Sequence, residues 1–215
     1  MGLFSRASAK VRSAGGLIAF FYVQRLRGFA PPAQPDLDPE TCERLTRELK
    51  RCQSYLEFGS GGSTLIAHQL KVCTTSVESD PFYVFAVRKA LSMRTSVTLL
   101  TPDLGLTKRS GWPAFGSSKK GLLYVSAPFP ITPFPDLILV DGRYRAACAL
   151  KSAQQASAAG TSSTLIFDDY KYRSQYHVVE DLLGKPEIVG RSAIFIVGSR
   201  SVSDDAVAYF AKDAW

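Results

Sequence analysis

Two rhythms of apolar residues alternate along the chain from Tyr55 onward. Short apolar runs at Tyr55–Phe58, Val72–Val77, Ser96–Leu100, Leu137–Val140 and Thr164–Phe167 predict strands. The longer segments Thr64–Leu70, Pro81–Leu91 and Ala146–Ala159 predict helices, with Gly160 as the stop for the last. Strands that alternate with helices argue for a parallel sheet joined by right-handed crossovers. The end of the chain breaks this rhythm, because only Gly190, Arg191 and Ser192 separate the runs Glu187–Val189 and Ala193–Val197. A connection that short joins antiparallel neighbours. Thr101 to Gly121 is the one long irregular stretch.

A different pattern occupies the first 30 residues. Phe4, Ala7, Val11, Ala14, Ile18 and Phe21 recur at steps of three and four, with Arg6, Lys10, Arg12, Arg25 and Arg27 around them and no acid. Gly15 and Gly16 interrupt this amphipathic leader. It suits a mitochondrial transit peptide in a eukaryotic source, a membrane-surface helix in any source, or a frayed tail. Pro31, Pro32, Pro35 and Pro39 then mark residues 31–38 as an extended linker, and the domain is expected over 39–215. Asp38 is a good N-cap and Pro39 a good first helical residue, and Cys42, Leu45, Leu49 and Cys52 form the buried stripe of a helix to about Arg51.

Composition narrows the classes. Of 215 residues, 46% are hydrophobic and 21% charged, a globular balance that excludes wholesale disorder and a fibrous chain. The longest uncharged apolar stretch, Ser13 to Gln24, is too short to cross a bilayer. The formal charge of +7 sits mostly in the acid-free leader, so the folded body lacks the basic surface that nucleic acid requires. Four cysteines without a C-x-x-C spacing argue against zinc and a disulfide framework, and favour a reducing compartment such as the cytoplasm.

The chemistry begins at Glu57-Phe58-Gly59-Ser60-Gly61-Gly62-Ser63-Thr64, which closes the first strand and opens a helix. Glycines there let a ligand approach the backbone, and the helix start offers free N–H groups. Glu78, at the end of the second strand, stands where a carboxylate accepts both hydroxyls of a ribose. The two features together signal a nucleoside cofactor. The alternative is a tight turn and a solvated Glu.

The Glu-x-Gly-x-Gly order and the final antiparallel strand pair resemble the class I S-adenosylmethionine-dependent methyltransferases, over about Tyr55 to Val197. Tyr55–Ser63 is similar to that family's first motif, Glu78 to its ribose-binding acid, and Asp136–Gly142 to its fourth-strand motif. Ser63 replaces the third glycine, with Gly62 beside it. Asp141-Gly142-Arg143-Tyr144-Arg145 and Asp168-Asp169-Tyr170 resemble a bacterial-type group of uncharacterised methyltransferase-like proteins. The resemblance implies an α/β, Rossmann-like methyltransferase fold: a mainly parallel seven-stranded sheet with an antiparallel last strand and helices on both faces. It also implies S-adenosylmethionine as cofactor, held by Glu57, Gly59, Ser60, Gly61, Ser63 and Glu78, with Asp103 as a partner for the adenine amine.

Asp141 and Asp168 stand at the carboxyl ends of predicted strands, which line the ligand crevice of an open parallel sheet. With Asp169 they resemble the ligands of the catechol-type O-methyltransferases, which implies Mg²⁺; the alternative is that they cap a helix or bond the backbone. Asp141, Asp168 and His177 are the candidate catalytic groups, since a hydroxyl acceptor needs a base or a cation. Arg143 and Arg145 would draw an anionic small-molecule acceptor, with Trp112 and Tyr170 as further contacts and Thr101–Gly121 as a lid. Two rival classes remain: a catalytically inactive scaffold of the same fold, and a nicotinamide oxidoreductase. The second lacks G-x-G-x-x-G, since Thr64 takes the sixth position, and no Tyr is followed four residues later by Lys. A P-loop is absent.

Overall fold

Asp38 starts the first helix as its sequence suggests: its carboxylate accepts from Thr41 N (3.2 Å) and Thr41 Oγ1 (2.6 Å), with Pro39 in the first turn of α1 (Pro39–Leu49). The computed structural model describes residues 30–91 and 95–214, so the expected basic leader lies outside the described residues except for Ala30. From α1 the chain alternates as expected: β1 (Ser54–Phe58), α2 (Gly62–Gln69), β2 (Cys73–Val77), α3 (Pro81–Ala90), β3 (Val97–Leu100), α4 (Ser118–Ser126), β4 (Leu137–Val140), α5 (Arg145–Ala158), β5 (Ser163–Phe167). A 3₁₀ turn at Ser174–Val179, α6 (Glu180–Leu183), β6 (Glu187–Val189), β7 (Ser192–Val197) and α7 (Asp204–Phe210) complete it.

The seven strands lie in the order β3-β2-β1-β4-β5-β7-β6. All pairs from β3 to β5 are parallel, and β7 runs antiparallel to both β5 and β6. Alternate strand residues feed two cores. Leu56, Phe58, Ile138, Val140, Leu165 and Phe167 pack with α4, α5 and α7, while Tyr55, Leu137, Leu139, Ile166 and Ile194 pack with Leu45 and Leu49 of α1 and Ala67 of α2. Burying the sheet on both faces stabilises it by the removal of apolar area from water.

Two helices escape the sequence reading. α4 begins inside the stretch read as irregular, where Ser117 caps it by accepting from Lys120 N at 3.3 Å. α7 is capped in the same way by Ser203. The segment 31–38, expected as an extended linker, packs on the body. Its Gln34–Pro35 peptide lies against Gly62, where any side chain would collide with Gln34. The Asp36 carbonyl accepts from Arg191 Nη2, and Asp38 Oδ2 accepts from Arg191 N at 3.2 Å. Among the described residues no helix is long and apolar enough to cross a membrane.

Candidate functional site

Strand β1 pairs with β2 on one side and β4 on the other, so the crossovers diverge at the carboxyl ends of β1 and β4 and leave a crevice there. A cavity of about 450 Å³ opens at this point, floored by the glycine loop Gly59–Ser63. Glu78 to Asp80 and Tyr83 form one end. Asp141 to Arg143, Arg145, Asp169 and Arg191 form the other, and Pro32, Pro35 and Asp36 of the N-terminal segment wall it.

The two glutamates expected to hold the cofactor occupy different places. Glu57 is fully buried beneath the loop, where it accepts from Tyr55 Oη (2.9 Å), Ser63 Oγ (2.6 Å) and the Thr64 hydroxyl. Burial pushes its carboxyl above the usual range, against the pull of these donors. It does not line the cavity, so its role is corrected from ligand to organiser of the loop. Glu78 does line it. Its Oε1 accepts from Ser79 N (2.7 Å), Ser79 Oγ (2.9 Å) and Asp80 N (3.0 Å), and its Oε2 from Ser60 N (3.1 Å). These bonds fix the carboxylate beside the loop, although burial raises its pKa. Asp103 is exposed and accepts from Gly105 N at 2.9 Å, away from the cavity. That removes it as an adenine partner in this geometry.

A mesh of charge fills the other end. Arg145 opens α5 with its side chain 5% exposed, and its guanidinium donates to the carbonyls of Gly142 (3.1 Å), Asp168 (2.7 Å) and Asp141 (3.3 Å). It also pairs with the Asp141 carboxylate at 2.9 Å, and lies 3.4 Å from that of Asp169 and 3.7 Å from that of Asp168. Asp168, wholly buried, is gripped by Arg191 through Nε (2.9 Å) and Nη2 (2.8 Å) and by Ser192 Oγ (3.0 Å). Asp169 pairs with Arg173 at 2.6 Å and Arg191 at 3.2 Å. Asp168 is therefore taken up by Arg191 and Ser192 and does not line the cavity, and the Arg145 guanidinium, at the cavity's edge, is engaged by internal carbonyls and carboxylates.

The expected Mg²⁺ does not fit this donor set. Hard cations need several oxygens at about 2.0–2.6 Å, and the oxygens of Asp141, Asp168 and Asp169 are turned onto three guanidinia. Among the described residues no cluster of acids, His or Cys has a geometry that would hold a metal.

Asp141 and Asp169 both line the cavity, with side chains 26% and 22% exposed, whereas Asp168 is shut off from it. Burial pushes the Asp141 carboxyl well above the usual range; Arg145 opposes that, and the negative charges of Asp168 and Asp169 reinforce it. Arg143 also faces the cavity. Among the described residues it makes no ion pair; its guanidinium lies 4.7 Å from the centre of the Trp112 ring. Burial and the neighbouring Arg145 lower its pKa. The Tyr176 hydroxyl, buried without a hydrogen-bond partner, lies within electrostatic range of both arginines.

Trp112, Tyr170 and His177 also fall outside the cavity lining. Tyr170 is buried, donates to Glu180 at 2.9 Å and stacks on His177. His177 is exposed, its Nε2 3.2 Å from the Tyr170 carbonyl, and lines no part of the cavity. Neither is placed to touch a substrate. Arg191, Tyr83, Pro32, Pro35 and Asp36 are cavity residues the sequence reading missed. Tyr83, pushed up to about 12 by burial and by Glu78, keeps its phenol proton at neutral pH.

No protein-family model matches the chain, and no curated protein does. Among solved structures, a methyltransferase-like protein from Silicibacter pomeroyi is 30% identical, covering 86% of this chain and 98% of its own, with a TM-score of 0.70. A putative O-methyltransferase from Klebsiella pneumoniae (17% identity, TM-score 0.44) covers 84% of this chain and 68% of its own. A putative caffeoyl-CoA O-methyltransferase from Staphylococcus aureus (14%, 0.48) covers 77% and 86%. The last two are too distant to carry any argument.

Proposed function

The chain belongs to the class I S-adenosylmethionine-dependent methyltransferases, and from that premise we propose that it transfers a methyl group to an oxygen of a small, anionic acceptor. The observation that carries this reading is the cavity shared by the glycine loop, Glu78 and the accessible carboxyl of Asp141. Its volume of about 450 Å³ suits a nucleoside cofactor with a small partner. Gly59, Ser60, Gly61 and Ser63 and the first turn of α2 would hold the cofactor, with Glu78 on its ribose. The cofactor, when bound, supplies a methyl group on a positively charged sulfur.

A neutral hydroxyl is a poor nucleophile, so a base must accept its proton as the new bond to carbon forms. Asp141 suits that role because it faces the cavity, its raised pKa brings it nearer to neutrality, and Arg145 holds it in place. Arg143 feels Glu78 at a distance but makes no ion pair with an acid of the described residues, so a carboxylate or phosphate on the acceptor would complete it. Pro32, Pro35 and Tyr83 close the walls and limit water.

Calorimetry with S-adenosylhomocysteine, followed by transfer of labelled methyl to hydroxy acids, phenols and sugar phosphates, tests this. Saturable binding and transfer to anionic members is the expected result. Binding of NAD(P) instead would overturn it, and cofactor binding with no acceptor methylated would favour a scaffold. Asp141→Asn should lower turnover by ~10²-fold or more with cofactor affinity kept. Normal turnover in that variant would remove Asp141 as the base.

A further inference from the structure

The direct partners of the Arg145 guanidinium are all oxygens. Three backbone carbonyls and three carboxyl groups converge on one guanidinium at the start of α5. That is the donor chemistry of a hard-cation site with a covalently tethered cation inside it. The backbone explains how the side chain arrives there. Tyr144, at φ 55°, turns the chain in the left-handed region just before α5, and its ring is buried, so Arg145 is directed inward between the ends of β4 and β5.

We propose that Arg145 is the built-in cation of this site: it fills the centre that Asp141, Asp168 and Asp169 would otherwise offer to a divalent metal, so the site works without one and opens to one when the guanidinium is removed. Charge balance supports this. Arg145, Arg173 and Arg191 match the three carboxyl groups one for one, with Arg143 beside Arg145 as a further cation, so a divalent ion added to that set would leave an excess of positive charge. Taking Arg145 away leaves the three carboxyl groups with only Arg173 and Arg191 as ion-pair partners, in a pocket already lined with oxygen. Arg145 thereby acts as a positioning residue. It holds Asp141 Oδ1 at 2.9 Å through Nη2.

The inference rests on the same site as the methyl-transfer reading, but its test needs neither cofactor nor acceptor. Mn²⁺ binding to the purified full chain is followed by electron paramagnetic resonance and by the shift in melting temperature. Wild type should show no saturable Mn²⁺ binding. Arg145→Ala, checked for folding by circular dichroism, should bind Mn²⁺ at least ~10-fold more tightly and melt higher in its presence. Adding Asp168→Asn should cancel that gain. Saturable binding to wild type overturns the proposal, as does a folded Arg145→Ala protein that binds no better. Arg145→Gln keeps the side-chain bulk and serves as the second variant if Arg145→Ala does not fold. Once an acceptor is found, chelator should leave wild-type transfer unchanged, and abolition by chelator would overturn the proposal independently. Failure of S-adenosylhomocysteine to bind would count against the methyltransferase reading alone.

Discussion

Glu57 and Glu78 are both acids near a glycine loop, yet they should respond to mutation in opposite ways. Glu78 faces the cavity, so Glu78→Ala should weaken S-adenosylhomocysteine binding by ~10-fold or more, through lost hydrogen bonds to a charged acceptor. Unchanged affinity in calorimetry would remove it from the ribose. Glu57 is buried under three hydroxyls, and its folded pKa lies above its ordinary value. The protonated carboxyl is therefore favoured by folding, and its contribution is lost as pH rises from the usual carboxylate range through the raised value. Glu57→Gln does not titrate there, so the gap in melting temperature between wild type and variant should be largest in acid and narrow as pH rises. Glu78 and Asp141 titrate in both proteins and cancel in the difference. A gap that widens with pH would mean that the hydroxyl donors outweigh burial.

Part of the loop between β3 and α4 lines the cavity beside Glu78. Ser110 (φ 59°) and Gly111 (φ 70°) turn it down onto Glu78 and Ser79, so that a side chain at Gly111 would strike Ser79 Oγ and lie 3.1 Å from Glu78 Oε1. Trp112 then stacks on Arg143 and ties this segment to the loop after β4. We expect a ligand bound at Glu78 to shift this segment, so S-adenosylhomocysteine should change tryptophan fluorescence with a rate that saturates at high ligand concentration. Trp112→Phe should remove most of that signal, and a rate that stays linear would show that the segment does not move. The strands and the α2, α3 and α5 helices were legible in the sequence because their apolar runs are long and punctuated by glycine or proline. α4 was hidden by the Gly, Ser and Lys residues that precede its apolar turn. The glycine loop, Glu78 and Asp141 were legible because strand ends announce them. Arg191 was not, since only the pairing of β6 with β7 brings a residue of a tight turn against Asp168. His177 and Tyr170 misled because nearness in sequence to Asp168 says nothing about which way a 3₁₀ turn directs its rings.

At the scale of the molecule, the proline-rich segment goes with the folded body it was expected to precede as a linker. Five of the 26 Lys and Arg residues stand in the acid-free residues 1–30, while residues 31–38 are built into the body. Pro32, Pro35 and Asp36 wall the cavity, the Gln34–Pro35 peptide covers Gly62, and Asp38 caps α1 while accepting from Arg191 N. Two truncations should therefore differ sharply. Removal of residues 1–30 should leave the melting temperature and S-adenosylhomocysteine affinity nearly unchanged, because the seven-stranded sheet and the cap of α1 come after them. Removal of residues 1–38 deletes a helix cap worth about 1 kcal/mol, one side of the cavity and the acceptors of Arg191, the Asp36 carbonyl and the Asp38 carboxylate, together. Its melting temperature should fall by several degrees and its cofactor affinity with it. If the leader is a membrane-surface element, the shorter truncation should also lose binding to vesicles rich in anionic lipid, at low salt most clearly. Equal stability and affinity in the two truncations would show that the segment merely rests on the site, and a large loss in the shorter one would make the leader part of the folded body.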